Sequence, residues 1–229
     1  MSSLALAMGR VHIFAALPPS ELSIIASAAR TRRYDARSIV LDEGDTAGHL
    51  LGVATGHLKV VAATAEGRTS TMGLFSSGDV FGIPALLLGQ PRAARVVALT
   101  ETVLVLVEKT AFERALPRCP TLSRQLLDVL AQRVLHLAGR HVQTVSLTMP
   151  QRLARMLLTL ARDCAEPSPH GTVLALSLSQ QELADLTNST RQSVNKQLRS
   201  WMAAGWLTLE DNRLVLLDEA ALQATASPS

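Results

Sequence analysis

Cysteine is almost missing from this chain. Its 229 residues hold only Cys119 and Cys164, far apart and in no metal-ligand spacing. That excludes a paired-cysteine metal motif and points to a reduced, cytoplasmic protein. Long hydrophobic runs are missing as well. None approaches the roughly 18 residues of a membrane helix. The opening MSSLALAMGRVHIF has no basic start ahead of a sustained apolar core, so no secretion signal is expected. There is no GxSxG elbow, no HExxH pair and no Walker loop, and the chain is expected not to be an enzyme. Asn188-Ser189-Thr190 spells a glycosylation sequon, read as chance in a chain without a secretion signal. Excess charge is scarce too. The net charge is +3 and the part after Leu147 is close to neutral, so overall charge does not argue for nucleic acid. What is present is a globular composition, 48% hydrophobic and 18% charged, long enough for one large or two modest cores.

The most informative stretch is SQQELADLTNSTRQSVNKQLRSW, residues 179–201. Ser179 and Glu182 have the spacing at which each side chain satisfies the other's backbone N–H at a helix start. Leu183, Ala184 and Leu186 give this helix an apolar side, and Ala184 is small enough for a second helix to cross closely. The second helix is expected over about 191–200, capped by Ser189 or Thr190, with Val194, Leu198 and Trp201 inward. Asn188 stands in the break, where a left-handed backbone is needed and asparagine is tolerated. The outer face carries no acid. Its Arg191, Gln192, Asn195, Lys196 and Arg199, together with Ser189 and Thr190 at the helix start, are the candidate DNA contacts, since such side chains suit base edges and phosphates. An ordinary helical hairpin would share the apolar pattern without needing that face. Beyond Gly205, residues 207–209 and 214–217 read as strands joined at Glu210-Asp211-Asn212-Arg213, which makes a winged helix.

Upstream, residues 10–30 read as short helical pieces, the better one opened by Pro18-Pro19-Ser20-Glu21. From 31 to 107 the texture is β-rich, with runs at 38–41, 49–53, 57–62, 69–75, 95–98 and 102–107. Turns at Gly44, Gly56, Gly67 and Gly78 break them, which suggests a small antiparallel barrel or roll. The segment SGDVFG leads into an apolar helical turn at 83–88, followed by a lone Arg92. Such a turn can hold a phosphate, although turns in β-rolls are glycine-rich anyway. Residues 112–145 read as one long helix. Leu127, Leu130, Val134, Leu137 and His141 recur at spacings of three and four, a seam that either meets its own copy or covers the roll within one chain. His141 is read as packed or partly exposed rather than as a switch or ligand. A further helix opens at Thr148, with Pro150 in its first turn and Gln151 at the capping position, and 165–172 (AEPSPHGT) reads as a loop.

This order of roll, long helix and winged helix resembles the cyclic AMP receptor / fumarate-nitrate reductase regulator (CRP/FNR) family. The similarity spans residues 14 to 217 and is most specific in SGDVFG, PRAAR, QRLARMLL and SQQELADLTNSTRQSVNKQL. It implies an α+β chain with three parts: an antiparallel β-roll sensor (1–111), a dimerisation helix (112–146) and a winged helix-turn-helix (147–229). It implies a homodimeric transcription regulator on a palindromic operator in double-stranded DNA, with RNA polymerase as a further partner if it activates. In the family's reading helix the positions matching Arg191, Gln192 and Lys196 contact bases. The middle one is commonly glutamate, which accepts from cytosine N4, whereas the glutamine here suits adenine. Lys196 stands where arginine is frequent and lacks its bidentate fork. The half-site is therefore expected to differ from the family's at the pair facing Gln192.

The sensor departs further from the resemblance. Cyclic-nucleotide-binding members follow SGDVFG with a glutamate for the ribose, and here Ile83 follows Gly82. Their phosphate pair, Arg then Ser or Thr, is Arg92 then Ala93 here, and their base-holding Thr-Ser pair aligns with Leu137 and Ala138. Each buried polar ligand atom left unpaired costs roughly 1–3 kcal/mol. Several such losses weaken binding by powers of ten, so tight cyclic AMP binding is not expected. A pocket at Gly82, Ile83, Arg92, Ala93, Leu137 and Ala138 would suit a small-molecule effector that is apolar with one anionic group. Otherwise the roll is a dimer scaffold. The iron–sulfur members carry an N-terminal cysteine cluster, and here the first cysteine is Cys119. No motif marks His12, His49, His57, His136 or His141 as a haem ligand, so no cofactor is assigned. The competing function is a ligand-binding module that acts through protein partners rather than DNA. The basic face of 191–200 argues against it.

Overall fold

A computed structural model describes residues 3–63, 69–168 and 171–227, which leaves the turn expected at Gly67 outside the described residues. The chain forms two compact units, 1–135 and 136–229. In the first, helices α1 (Ser3–Met8), α2 (His12–Ala15) and α3 (Pro19–Ala26) precede strands β1 (Ala29–Tyr34), β2 (Ile39–Leu41), β3 (His49–Thr55), β4 (Leu58–Ala63), β5 (Thr69–Phe75) and β6 (Val80–Phe81). Helix α4 (Ile83–Leu88), strands β7 (Arg95–Ala98) and β8 (Thr102–Glu108) and helix α5 (Lys109–Ala115) follow. Two antiparallel sheets, ordered β1-β8-β3-β6 and β2-β7-β4-β5, make the roll.

Strands β3 and β8 are buried on both faces, which explains their nearly continuous apolar sequences. Side chains alternate across a strand. Leu51, Val53, Leu104 and Leu106 face the interior between the sheets, with Leu58, Phe81 and Val96. Leu50, Val105 and Val107 face the other way, under Met8, Ile13, Phe14, Ile25 and Phe112. Each fully buried leucine contributes roughly 2–3 kcal/mol. The turn from β3 to β4 requires glycine: Gly56 has φ +94°, and a Cβ there would sit 2.8 Å from the Thr102 Cα.

Two expectations change here. Residues 29–34 (ARTRRY) form strand β1, where helix was expected as far as Arg30 and the first strand only from 38. Nothing local makes them a strand; β1 pairs along its whole length with β8, and its exposed arginines suit an edge. The helix expected from Phe112 is also in pieces. α5 ends at Ala115, a single 3-10 turn spans Leu116–Arg118, and α6 (Pro120–Ser146) begins afresh. Pro117 and Pro120 lack the N–H that would continue the first helix and suit the opening turns of the next two.

The start of α6 is capped from far away. The Glu21 carboxylate accepts the N–H groups of Thr121 (3.2 Å) and Leu122 (3.1 Å). Burial pushes the Glu21 pKa up, but these two donors outweigh it and hold the group below its ordinary value of 4.5. A carboxylate depressed in the folded state stabilises above the unfolded pKa, and that stability is lost as pH falls through the folded one. Glu21→Gln is thus expected to melt below the parent at neutral pH, with the gap closing on acidification through the carboxylate range. Melting curves across that range check this, and a gap independent of pH would refute it.

Within the first unit, Leu122 and Leu126 are buried and Val129 and Leu130 pack against the core. Leu130, on the seam in sequence, takes the second of the roles open to that seam and covers its own unit. Leu127 (62% exposed), Val134 (65%) and Leu137 (65%) are left outward. The His141 side chain lies outside the described residues.

The second unit continues with α7 (Met149–Cys164), β9 (Ala165–Ser168), β10 (Gly171–Leu174), α8 (Gln180–Leu186), α9 (Arg191–Ala203), β11 (Leu207–Glu210), β12 (Arg213–Leu216) and α10 (Glu219–Ala226). Thr148 and Gln151 form a capping box at α7, as their spacing predicts. The stretch expected as a loop at 165–172 instead supplies β9 and the start of β10, which extend the wing into a sheet ordered β11-β12-β10-β9. β10 is drawn into the sheet by β12, far along the chain: Thr172 pairs with Leu216 and Val173 with Val215.

Candidate nucleic-acid interface

Helices α8 and α9 pack across a short turn. Ser179 and Glu182 cap α8 reciprocally, Ser179 N–H to Glu182 Oε2 at 2.7 Å and Glu182 N–H to Ser179 Oγ at 3.2 Å. Ala184 is fully buried, and Val194, Leu198 and Trp201 turn inward from α9. Asn188 holds the left-handed backbone its position requires, with φ +49°. Thr190 is the cap of α9, its Oγ1 accepting from the Ser193 N–H at 3.2 Å. α9 extends to Ala203, three residues past the expected end, because Trp201 still packs inward.

Thr190, Arg191, Gln192, Lys196 and Arg199 are exposed on this helix, while Ser189 and Asn195 are half-buried. Ser189 is engaged within the turn, donating to the Thr187 carbonyl at 3.1 Å. The Asn195 Oδ1 accepts from Gln180 Nε2 at 3.4 Å, which leaves its NH2 to donate outward. No acid lies on α9, and Arg191 occupies its first turn. A cation there opposes the positive end of the helix dipole, an arrangement that an external anion or a guanine edge relieves. The adjoining wing turns at Asp211 and Asn212, both with positive φ, and Asn212 is braced on Ser177.

Two residues near the interface were not singled out from the sequence. Gln180 is one. Arg152 is the other, half-buried in α7 and bonded to the carbonyls of Leu147, Thr187 and Asn188. Its signal was available: an arginine in the first turn of a helix, where the dipole disfavours it, needs acceptors elsewhere.

The roll residues expected to line an effector pocket are mostly occupied in structure. Gly82 caps α4 with φ +78°, Ile83 is buried in the core and Ala93 is exposed. Leu137 and Ala138 are exposed in the second unit. Arg92, expected to meet an anion, is buried, and donates to the carbonyls of Gly82 and His49 at 2.7 Å each. A side chain at position 82 would collide with this guanidinium. Burial draws the Arg92 pKa below the usual arginine value, with Asp45 opposing. Arg133 of α6 also turns inward. It donates to the Val80 carbonyl at 2.7 Å and lies over the Phe75 ring, 4.7 Å from its centre, and Phe75 stacks on Phe81 at 5.0 Å. Among the described residues no cluster of side chains suits a metal ion, and no helix is long and apolar enough to cross a membrane.

Family comparison agrees with this geometry in both halves. Residues 31–119 match the cyclic nucleotide-binding domain, and residues 151–225 match the Crp-like helix-turn-helix domain. The chain belongs to the CRP/FNR family. It is 25% identical over 219 residues to the CRP-like cAMP-activated global transcriptional regulator of Mycobacterium tuberculosis, covering 96% of this chain and 98% of that one. Among solved structures, a CRP-family transcriptional regulator of Thermus thermophilus superposes with TM-score 0.73 at 28% identity, over 85% of this chain and 96% of the other. The c-di-GMP responsive global regulator CLP of Xanthomonas campestris gives TM-score 0.73 at 25% identity, over 87% and 99%. This CRP/FNR chain is thus a DNA-binding transcription regulator with a cyclic-nucleotide-binding type of roll, and the proteins it resembles are regulators rather than enzymes.

Proposed function

We propose that this CRP/FNR regulator works in the cytoplasm as a homodimer that lays α9 into the major groove of a palindromic operator. The acid-free outer face of α9 carries the proposal. Arg191, Gln192 and Lys196 read base edges, and Ser189, Thr190, Asn195 and Arg199 hold the phosphates and the register. Residues 112–146 supply the dimer contact through Leu127, Val134 and Leu137, 1–111 form the sensor and 147–229 the reader. RNA polymerase is the further partner where the protein activates.

The sensor does not take cyclic AMP. Relatives of this chain are described as cAMP-activated and as c-di-GMP responsive, so the family's effector varies. Here the two inward-turned arginines, Arg92 of the roll and Arg133 of α6, already donate to carbonyls of the roll, and Ile83 and Ala93 offer no polar group to a sugar or phosphate. A cyclic nucleotide would have to break those bonds and replace them.

Selection from random duplexes, followed by gel shifts at several salt concentrations with and without cyclic AMP, tests both parts. A palindromic site altered at the pair facing Gln192, bound with steep salt dependence and indifferent to cyclic AMP, is expected. Recovery of a glutamate-type half-site would remove the Gln192 assignment. Binding that appears only with cyclic AMP would remove the sensor reading.

A further inference from the structure

We infer that Arg152 is the positioning residue that sets the pose of α9 against the end of α6, an inference that rests on α9 being the DNA-reading helix. Its guanidinium bridges two separate elements of the second unit. Nη1 donates to the Leu147 carbonyl at 2.6 Å, one residue past α6. Nε donates to the Thr187 carbonyl at 2.8 Å, where α8 closes. Nη2 reaches the Asn188 carbonyl at 3.3 Å and the Ser189 Oγ at 3.4 Å. Residues 187–189 are the backbone from which the α9 cap Thr190 departs. One planar group therefore holds the exit of α6 and the entry of α9 together.

The chemistry suits that task. Carbonyls at a helix C-terminus carry partial negative charge, and a charged donor bonds them about twice as strongly as a neutral one. The fork is rigid, so Leu147 and Thr187 cannot shift past one another without losing a bond. A lysine would keep the charge but could not fix two directions at once. Arg152 is half-buried and bonded inward, so it acts through the turn and not by contacting bases.

The test uses the full chain, the duplex selected with the parent protein and a random duplex of equal length at one salt concentration. Arg152→Gln, Arg152→Lys and the control Gln192→Ala are titrated against both. The readout is selectivity, the ratio of the two affinities, which does not change with the fraction of protein folded. Both Arg152 variants are expected to lose selectivity by roughly ten-fold, and Gln192→Ala to lose it too. Parental selectivity in both Arg152 variants, beside a loss in Gln192→Ala, overturns the inference alone. Parental selectivity in Arg152→Lys overturns it as well, because charge without the fork would then suffice. If Gln192→Ala keeps parental selectivity, the reading of α9 fails, and the role of Arg152 with it.

Discussion

Val134→Arg is expected to sediment as a monomer and to lose operator affinity by roughly 10²–10⁴-fold, the gain that two linked half-sites normally give over one. Helix α6 carries two apolar stripes. Leu122 and Leu126 are spent on the core of their own unit, whereas Leu127, Val134 and Leu137 stay more than half exposed. Covering such a side chain is worth roughly 1.5–3 kcal/mol, and a two-fold pairing would cover it in both copies. An arginine at 134 places like charges together on that axis. Because Val134 is outside the folded core, the variant should keep the parent's circular dichroism, and a drop in mass is then not misfolding. A dimeric Val134→Arg at the parent's dissociation constant would place the interface elsewhere.

Arg191→Ala should weaken the selected operator by about 1–3 kcal/mol, with less effect on random duplex. Two opposed effects are separable here. On the free protein, removing a cation from the first turn of α9 relieves the helix dipole by about 0.3–1 kcal/mol, so the variant should melt no lower than the parent. On DNA, the same removal deletes a fork suited to guanine O6 and N7. Lower affinity at undiminished stability is the signature of a base contact. Equal losses on selected and random DNA would make Arg191 a phosphate contact, and its salt dependence would fall with it.

The winged helix was legible because its determinants are local. The Ser179–Glu182 box, the left-handed Asn188 and the inward Val194, Leu198 and Trp201 lie within one short stretch of chain. The face of α9 follows from the same spacing. What was not legible depends on distant partners. β1 is a strand because β8 pairs with it, and β10 is a strand because β12 lies on one side of it and β9 on the other. Leu130 continues the seam in sequence, yet a core made by helices near the N-terminus draws it inward. Arg92 donates to the Gly82 and His49 carbonyls, and no spacing rule announces those bonds. Prolines 117 and 120 were a local signal of a helix break that the apolar periodicity masked.

The long reach of Glu21 also bears on the order of folding. Its bond to Leu122 closes a separation of 101 residues, and β1 cannot pair until β8 has been made. Contacts so far apart in sequence cost loop-closure entropy before they return anything, so they form slowly. The α8–α9 pair needs no such wait. A refolding chain should therefore acquire its protected C-terminal amides first, and the amides of Thr121 and Leu122 should be among the last to resist exchange.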